Sequence, residues 1–196
     1  LTFAFRRFIL DNSTIMSADT LYLEVKKNSE LTEQELSEIL TLCTAAYEKD
    51  YTPFMATFPD PTHVLGRVSG KLVSYALWIT RWLQNGGIQP WLTAYVEGVA
   101  TDERYRRRGY ASAVMRRLAE EIKDFDIGAL CTGHSQHLYA ALGWQLWRGH
   151  LFIRTKDGGL LPTPDEHGVM VLPLPKTPPL DLGSPLSAEW REGELW

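Results

Sequence analysis

The densest chemistry in the 196-residue sequence lies in the run 102–111, DERYRRRGYA, where Arg104, Arg106, Arg107 and Arg108 crowd ahead of Gly109. A strand expected to end near Thr101 leads into this run, and a helix expected from Tyr110 leads out of it. Gly109 can adopt a backbone conformation that a side chain obstructs, and Ala111 is small enough to let a ligand approach. Successive N–H groups in such a turn, with the positive end of the helix behind them, suit a pyrophosphate. The arginines add long-range attraction. Taken alone, a glycine after three arginines is also compatible with a solvated helix start; its place between a strand and a helix favours the anion. The pattern Arg106-x-x-Gly109-x-Ala111 is neither a P-loop, which needs Gly-Lys-Ser/Thr, nor the Gly-x-Gly-x-x-Gly dinucleotide fingerprint.

Other constellations carry less. His134 and His137 lie three apart with Cys131 nearby, but no fourth ligand has convincing spacing, so no metal is expected. Two cysteines, Cys43 and Cys131, give no case for a disulfide scaffold; two buried thiols and a reducing, cytoplasmic location are expected. A net charge of −4 argues against a nucleic-acid surface, which needs a broad basic field. The tryptophans Trp78, Trp82, Trp91, Trp144 and Trp147 are then expected in the core or an interface. Acidic residues gather in the last segment, at Asp181, Glu189, Glu192 and Glu194, so one end of the chemistry could hold an anion and the other a cation. No apolar run approaches the ~18–20 residues of a membrane span, and no membrane partner is expected. The opening LTFAFRRFIL is basic and apolar but lacks a long apolar core and a cleavage site. Met16 could be the natural start, and residues 1–18 are expected to form an N-terminal extension.

The elements that must position the turn follow from periodicity. Leu21–Val25 reads as a strand. In Leu31–Tyr47, Leu36, Ile39, Leu40, Cys43 and Tyr47 recur at helical period, with Thr32 as N-cap and Glu35 three residues on. Asp50–Phe58, with Tyr51, Phe54, Met55 and Phe58, suits a short helix or an aromatic lid, stopped by Pro59 and Pro61. Thr62–Arg67 and Lys71–Leu83 read as antiparallel strands around a Ser69–Gly70 turn, and Asn85–Gly86–Gly87 as a further turn. Trp91–Thr101 is a strand whose imperfect alternation allows a bulge or coverage on both faces. Tyr110–Ile122 is an amphipathic helix, Asp126–Cys131 a strand, and Ser135–Leu142 a helix ending at Gly143. Trp144–Arg154 and Gly168–Leu174 complete the strands. Residues 173–185 are proline-rich and are expected to run extended over the surface, before an aromatic AEWREGELW end. Helices should cover a central mixed sheet in an α/β (α+β) domain over residues 19–175, with 176–196 an extended segment. A βαβ crossover joins Trp91–Thr101 to Asp126–Cys131.

On its turn motif and element order, from Leu21 to about Leu174, the chain resembles the GCN5-related N-acetyltransferase (GNAT) superfamily, whose acetyl-CoA motif is Gln/Arg-x-x-Gly-x-Gly/Ala. The resemblance implies the GNAT acyl-CoA N-acyltransferase fold, with a bulged strand splaying from its parallel neighbour. It also implies acetyl-CoA as cosubstrate and no metal. The binding residues it implies are Val99, Thr101, Arg106, Arg107, Arg108, Gly109, Tyr110 and Ala111, with pantetheine pairing near Val99 and Thr101.

The stretches YVEGVA (95–100), LYAALGW (138–144), TPDEHGVMVLP (163–173) and the closing WREGELW are similar to a narrower group, the aminoglycoside 2'-N-acetyltransferases. That resemblance implies Glu97 as the base, acting through water, that frees the acceptor amine. It implies Tyr139 as the group that stabilises the departing thiolate. A carboxylate near a cleft mouth and a phenol near a developing anion are suited to those tasks. Asp50, Cys131, Thr132, Glu166, Glu194 and the C-terminal carboxylate of Trp196 are the implied contacts to a cationic aminoglycoside or related amino sugar. A homodimer is also implied. Departures from the group are Glu166 and Glu194 in place of aspartate, Cys131–Thr132 in place of a serine, and the loop CTGHSQH, one residue shorter. They imply an altered aminoglycoside range, extending to atypical members such as kasugamycin. An acetyltransferase for another small polyamine or a peptide amine, or a non-catalytic acyl-CoA sensor, would keep the same turn.

Overall fold

A computed structural model of the chain describes residues 20–86, 89–164, 166–192 and 195–196; the N-terminal extension expected over 1–18, and Glu194, lie outside the described residues. The chain opens with β1 (Leu21–Lys27) and the helix α1 (Glu33–Tyr47). The expected capping box forms: the Glu35 amide donates to Thr32 Oγ1 at 3.2 Å, and the Thr32 amide donates to Glu35 Oε2 at 3.0 Å. The helix stops at Glu48 in the left-handed region, φ 55°. Of the segment expected as a helix or lid, a single turn is helical, α2 (Thr52–Met55).

The strands β2 (Thr62–Val68), β3 (Lys71–Asn85) and β4 (Trp91–Thr101) follow, then α3 (Tyr110–Glu121), β5 (Ile127–Cys131) and α4 (Gln136–Ala140). The remainder is strand only: β6 (Gln145–Leu146), β7 (Leu151–Arg154), β8 (Leu160–Pro162), β9 (Val169–Pro173) and β10 (Leu186–Glu189). One mixed sheet runs β6-β9-β5-β4-β3-β10-β7-β8, with β2 beside the first half of β3 and β1 beyond β2. The long strand β3 is shared, since β2 covers its residues 71–78 and β10 its residues 83–85.

Apolar side chains face both ways, which makes two cores. Ile39, Leu42 and Cys43 of α1 pack with Leu77, Ile79, Tyr95 and Ile153 on one face. Val114, Met115 and Leu118 of α3 pack with Val64, Ala76, Ala94 and Val96 on the other. Strand β4 is therefore covered on both sides, and that accounts for its poor alternation.

One expectation needs correction. The stretch Trp144–Arg154 is not one strand: β6 pairs with β9, whereas β7 pairs with β10 and β8. Four residues join strands that lie six interstrand steps apart in the sheet order. A flat sheet would put them ~29 Å apart at ~4.8 Å per step, beyond the ~17 Å that the link can span. The sheet therefore curls until its ends approach. Gly149 permits the closure, since a Cβ there would lie 1.8 Å from the Ser184 carbonyl oxygen. Beyond the proline-rich run 173–185, the C-terminal segment joins the sheet as β10, antiparallel to β3 and parallel to β7.

Candidate active site

The parallel strands β4 and β5 pair only over Thr93–Val96 and Ile127–Leu130. Beyond Val96 they part. The divergence coincides with a bulge in β4, where Leu77 faces Glu97 and Tyr75 faces Ala100, leaving Gly98 and Val99 opposite Ala76. Gly98 has φ +60°, and a Cβ built on it would lie 2.8 Å from the Tyr51 hydroxyl. Glycine is required here for both conformation and space.

The gap opens into a cleft of about 700 Å³, lined on the β4 side by Glu97, Gly98, Val99 and Thr101 and on the other by Leu130, Cys131, Thr132, Leu138 and Tyr139. Tyr47, Lys49, Tyr51 and Phe54 of the α1–α2 region close one side, and Arg106 and Ala111 stand at its mouth. Tyr51 stacks on Tyr47 at 5.2 Å and meets Phe54 edge-on, so the aromatic cluster expected near residue 50 does form a wall of the cleft.

At the mouth, the turn alternates extended and left-handed residues: Arg106 has φ −62°, ψ 156°, Arg107 φ +61°, and Gly109 φ +80° as the N-cap of α3. Such alternation makes a concave array of amides, an anion cradle. The Ala113 amide returns to the Gly109 carbonyl at 3.0 Å, closing the first helical turn, and the helix's own ladder leaves its first amides to the cradle. A Cβ on Gly109 would meet nothing within 4 Å, so conformation and not crowding selects glycine. Arg107 adopts the same region at a cost of ~1–3 kcal/mol, the kind of strain found at ligand clamps. These residues fit the pyrophosphate of an acyl-CoA. Arg104 does not join them: its guanidinium is held by the Asp102 carboxylate at 2.9 and 3.2 Å, and the contact holds that carboxyl well below its usual range. Arg108 lies over the Tyr105 ring at 5.2 Å. Arg107, Arg108, Gly109 and Tyr110 build the turn, while Val99, Thr101, Arg106 and Ala111 also line the cleft. The Tyr47 hydroxyl donates to the Val99 carbonyl at 3.1 Å, on the splayed edge of β4.

Glu97 and Tyr139 face the same cleft from its two sides. Tyr139 is 6% exposed, and burial pushes its phenol up to about 12, so it stays protonated and able to donate at neutral pH. Glu97 is not alone: Arg191 Nη2 donates to its Oε1 at 2.6 Å, with both side chains largely buried. Arg191 was not singled out by the sequence, and its one signal was a basic residue inside an otherwise acidic aromatic tail.

The acceptor-side residues are more dispersed. Cys131 and Thr132 line the cleft; Thr132 Oγ1 accepts from the Ser135 amide at 3.2 Å, fixing the start of α4. Cys131 is half-buried, contrary to the expectation of two buried thiols, while Cys43 is buried and pushed up to about 12. Glu166 is exposed on the loop that docks on Thr132, whose amide donates to the Gly168 carbonyl at 3.0 Å. Asp50 accepts from the Thr52 amide at 2.9 Å in a local turn that leads into α2; it is not among the lining residues. The Trp196 ring is 4% exposed and anchored, its Nε1 donating to Thr163 Oγ1 at 3.1 Å. Among the described residues no group of three or more His, Cys, Asp or Glu side chains gathers as a metal site, and no helix is long and apolar enough to cross a membrane.

A central parallel pair that splays at a bulge, beside an Arg-x-x-Gly-x-Ala turn capping a helix, defines the GNAT class of acetyltransferases. The chain belongs to that family, since the acetyltransferase (GNAT) domain model matches residues 27–147. An aminoglycoside 2'-N-acetyltransferase of Mycolicibacterium fortuitum is 28% identical over 181 residues, covering 86% of this chain and 88% of that protein. Among solved structures, Escherichia coli ElaA superposes with a TM-score of 0.58 at 18% identity, covering 78% of this chain and 99% of its own. The Escherichia coli GNAT protein YhbS, solved in complex with CoA, has a TM-score of 0.58 at 15% identity, covering 88% of this chain and 92% of its own. These two likenesses show the fold. The family uses acetyl-CoA and acts on amines, and this chain is a GNAT acetyltransferase.

Proposed function

We propose that the chain transfers an acetyl group from acetyl-CoA to an amine of a cationic amino sugar of the aminoglycoside class, at the 2'-amine. The observation that carries this reading is the single cleft into which the phosphate turn, Glu97 and Tyr139 all open. The choice of acceptor is supported by the similarity to the Mycolicibacterium fortuitum acetyltransferase, which extends through most of the chain.

Acetyl-CoA, when bound, supplies the activated thioester. The turn around Gly109 and Arg106 would hold the pyrophosphate and direct the rest of the molecule into the gap between β4 and β5. Glu97 would take the proton from the acceptor ammonium, directly or through water, so that the nitrogen lone pair can attack. Tyr139, protonated at neutral pH, would donate to the sulfur as it gains charge. Cys131 and Thr132 would meet the acceptor on the β5 side, and Glu166 would offer it a carboxylate from the adjacent loop.

The test is thiol release and product mass with acetyl-CoA across aminoglycosides, kasugamycin included, small polyamines and peptide amines. Acetylation of an aminoglycoside at the 2'-amine is expected. CoA binding without transfer to any amine would overturn the reading in favour of a sensor. Glu97→Gln should lower kcat by about 10²–10⁴ with acetyl-CoA affinity unchanged, and full turnover in that variant would remove the base assignment.

A further inference from the structure

The segment that re-enters the sheet as β10 (Leu186–Glu189) carries Arg191 just beyond the strand, and its placement is unusually constrained. Arg81, on β3, is 1% exposed. Its Nη2 donates to the Glu189 carbonyl at 2.9 Å and its Nη1 to the Leu195 carbonyl at 2.9 Å, so it grips the backbone on both sides of Arg191. The Glu189 carboxylate answers by accepting from the Trp82 amide at 3.0 Å. The Trp190 amide is held by the Arg154 carbonyl at 2.9 Å. The buried Tyr95 ring is flanked by both cations, with Arg81 at 4.7 Å and Arg191 at 5.6 Å from its centroid. Arg191 then reaches Glu97, two residues along β4 from Tyr95.

A buried carboxylate without a partner is strongly disfavoured as an anion, whereas one paired with a guanidinium keeps its charge and its orientation. A surface ion pair would do neither reliably, because solvent screens it and long side chains wander. Here both partners are largely withdrawn from water, and the arginine is delivered by backbone that a second buried arginine holds in place.

We propose that Arg191 is the positioning residue for Glu97 and that Arg81 is the clamp that sets Arg191, so that the acceptor side of the cleft is assembled only when the C-terminal segment is docked. The proposal rests on the acetyltransfer reading above and deepens it, since Arg191 does not line the cleft and acts through Glu97. It also assigns a task to Arg81, a fully buried cation far from the phosphate turn in sequence. The other charged or titratable groups around Glu97 are Arg81 and Tyr95 beneath it, and Tyr47, Lys49, Tyr51, Arg106, Cys131, His134 and Tyr139 around the cleft.

The experiment compares wild type, Arg191→Met, Arg191→Lys, Glu97→Gln and the double variant Arg191→Met/Glu97→Gln in steady-state acetyl transfer as a function of pH. Acetyl-CoA affinity is measured by calorimetry and folding by thermal unfolding. Arg191→Met should lower kcat about ten- to a hundredfold, part of the ~10²–10⁴ that a positioned base contributes. It should move the acid limb of the kcat/KM profile to higher pH and leave acetyl-CoA affinity within about twofold; Arg191→Lys should recover part of the rate and the limb. In the Glu97→Gln background the further loss on removing Arg191 should vanish, as for residues that act as a unit. An Arg191→Met variant with wild-type kcat and pH profile would overturn the proposal, as would a loss of equal size in both backgrounds. If Arg191→Met alone is poorly folded, guanidine added to Arg191→Ala supplies the second measurement: partial recovery of rate is expected, and none overturns the proposal. Absence of transfer by the wild-type protein to every amine would instead defeat the underlying reading of the site, and this proposal with it.

Discussion

The bulge at Gly98 is the point at which fold and site can be tested together, with Gly98→Ala as the perturbation. An alanine at φ +60° costs ~1–2 kcal/mol from the clash of its Cβ with its own backbone. The new Cβ would also stand 2.8 Å from the Tyr51 hydroxyl, nearer than such atoms approach in real structures, with the ring carbon Cζ next at 3.6 Å. Relief of that overlap inside a packed core adds ~1–3 kcal/mol. A total near ~3 kcal/mol corresponds to a fall in Tm of roughly 6–12 °C for a chain of this size. The two contributions separate in a double-mutant cycle. Tyr51→Phe removes the oxygen and leaves Cζ at ordinary contact distance, so the double variant should recover at least ~1 kcal/mol relative to additivity while the conformational cost persists. Denaturant titration of the four proteins measures this coupling. Additive effects within ~0.5 kcal/mol, or a Gly98→Ala protein as stable as wild type, would refute the account of the bulge. Because β4 and β5 part at the same place, Gly98→Ala should also weaken acetyl-CoA uptake by roughly tenfold or more, equivalent to ~1.4 kcal/mol. Undiminished uptake would show that the splay does not depend on this glycine.

Tyr139→Phe should keep the fold and acetyl-CoA affinity but slow transfer by about 10²-fold, the scale of one lost donor to a developing anion; single-turnover kinetics would show it, and a full-rate variant would remove the assignment. Gly109→Ala should weaken acetyl-CoA binding by about tenfold with little change in acceptor KM, because φ +80° strains the cradle while space for the methyl is open. Gly149→Ala forces a Cβ to within 1.8 Å of the Ser184 oxygen and should displace the approach to β10; hydrogen exchange is expected to rise in β7 and β10 first. His63 is buried against the Tyr75 hydroxyl at 2.6 Å and burial lowers it from 6.5 to about 4. The unfolded chain therefore takes up this proton first, and stability is full above pH 6.5 and falls as the pH drops towards 4. At ~1.4 kcal/mol per pH unit this amounts to ~3 kcal/mol, and His63→Gln should flatten the slope of unfolding free energy across that window.

Much of the site was legible because local chemistry wrote it. The Arg106–Ala111 turn depends on a glycine at φ +80° and a helix start, both set within a few residues, and the Thr32–Glu35 capping box is equally local. Amphipathic periods in α1 and α3 placed the helices, and β-branched and aromatic runs placed β3 and β4. The same local signals misled where pairing is remote. Trp144–Arg154 has strand composition throughout, yet the chain must break at Gly149 to bridge the two ends of a curled sheet. Nothing near Leu186–Glu189 announces a strand, because its partners are β3 and β7, about 100 and 35 residues earlier.

The sequence by itself determined the class of fold and the local course of the Arg106–Ala111 turn, which follow from residue types at short spacing, whereas Glu97 and Tyr139 are marked in it only by resemblance to a family. Only the tertiary structure decided that Glu97 is held by Arg191 and that Arg81 sets that arginine. Those contacts join residues 94 to 114 positions apart. Burial and sheet closure settle such choices, and both are properties of the whole chain.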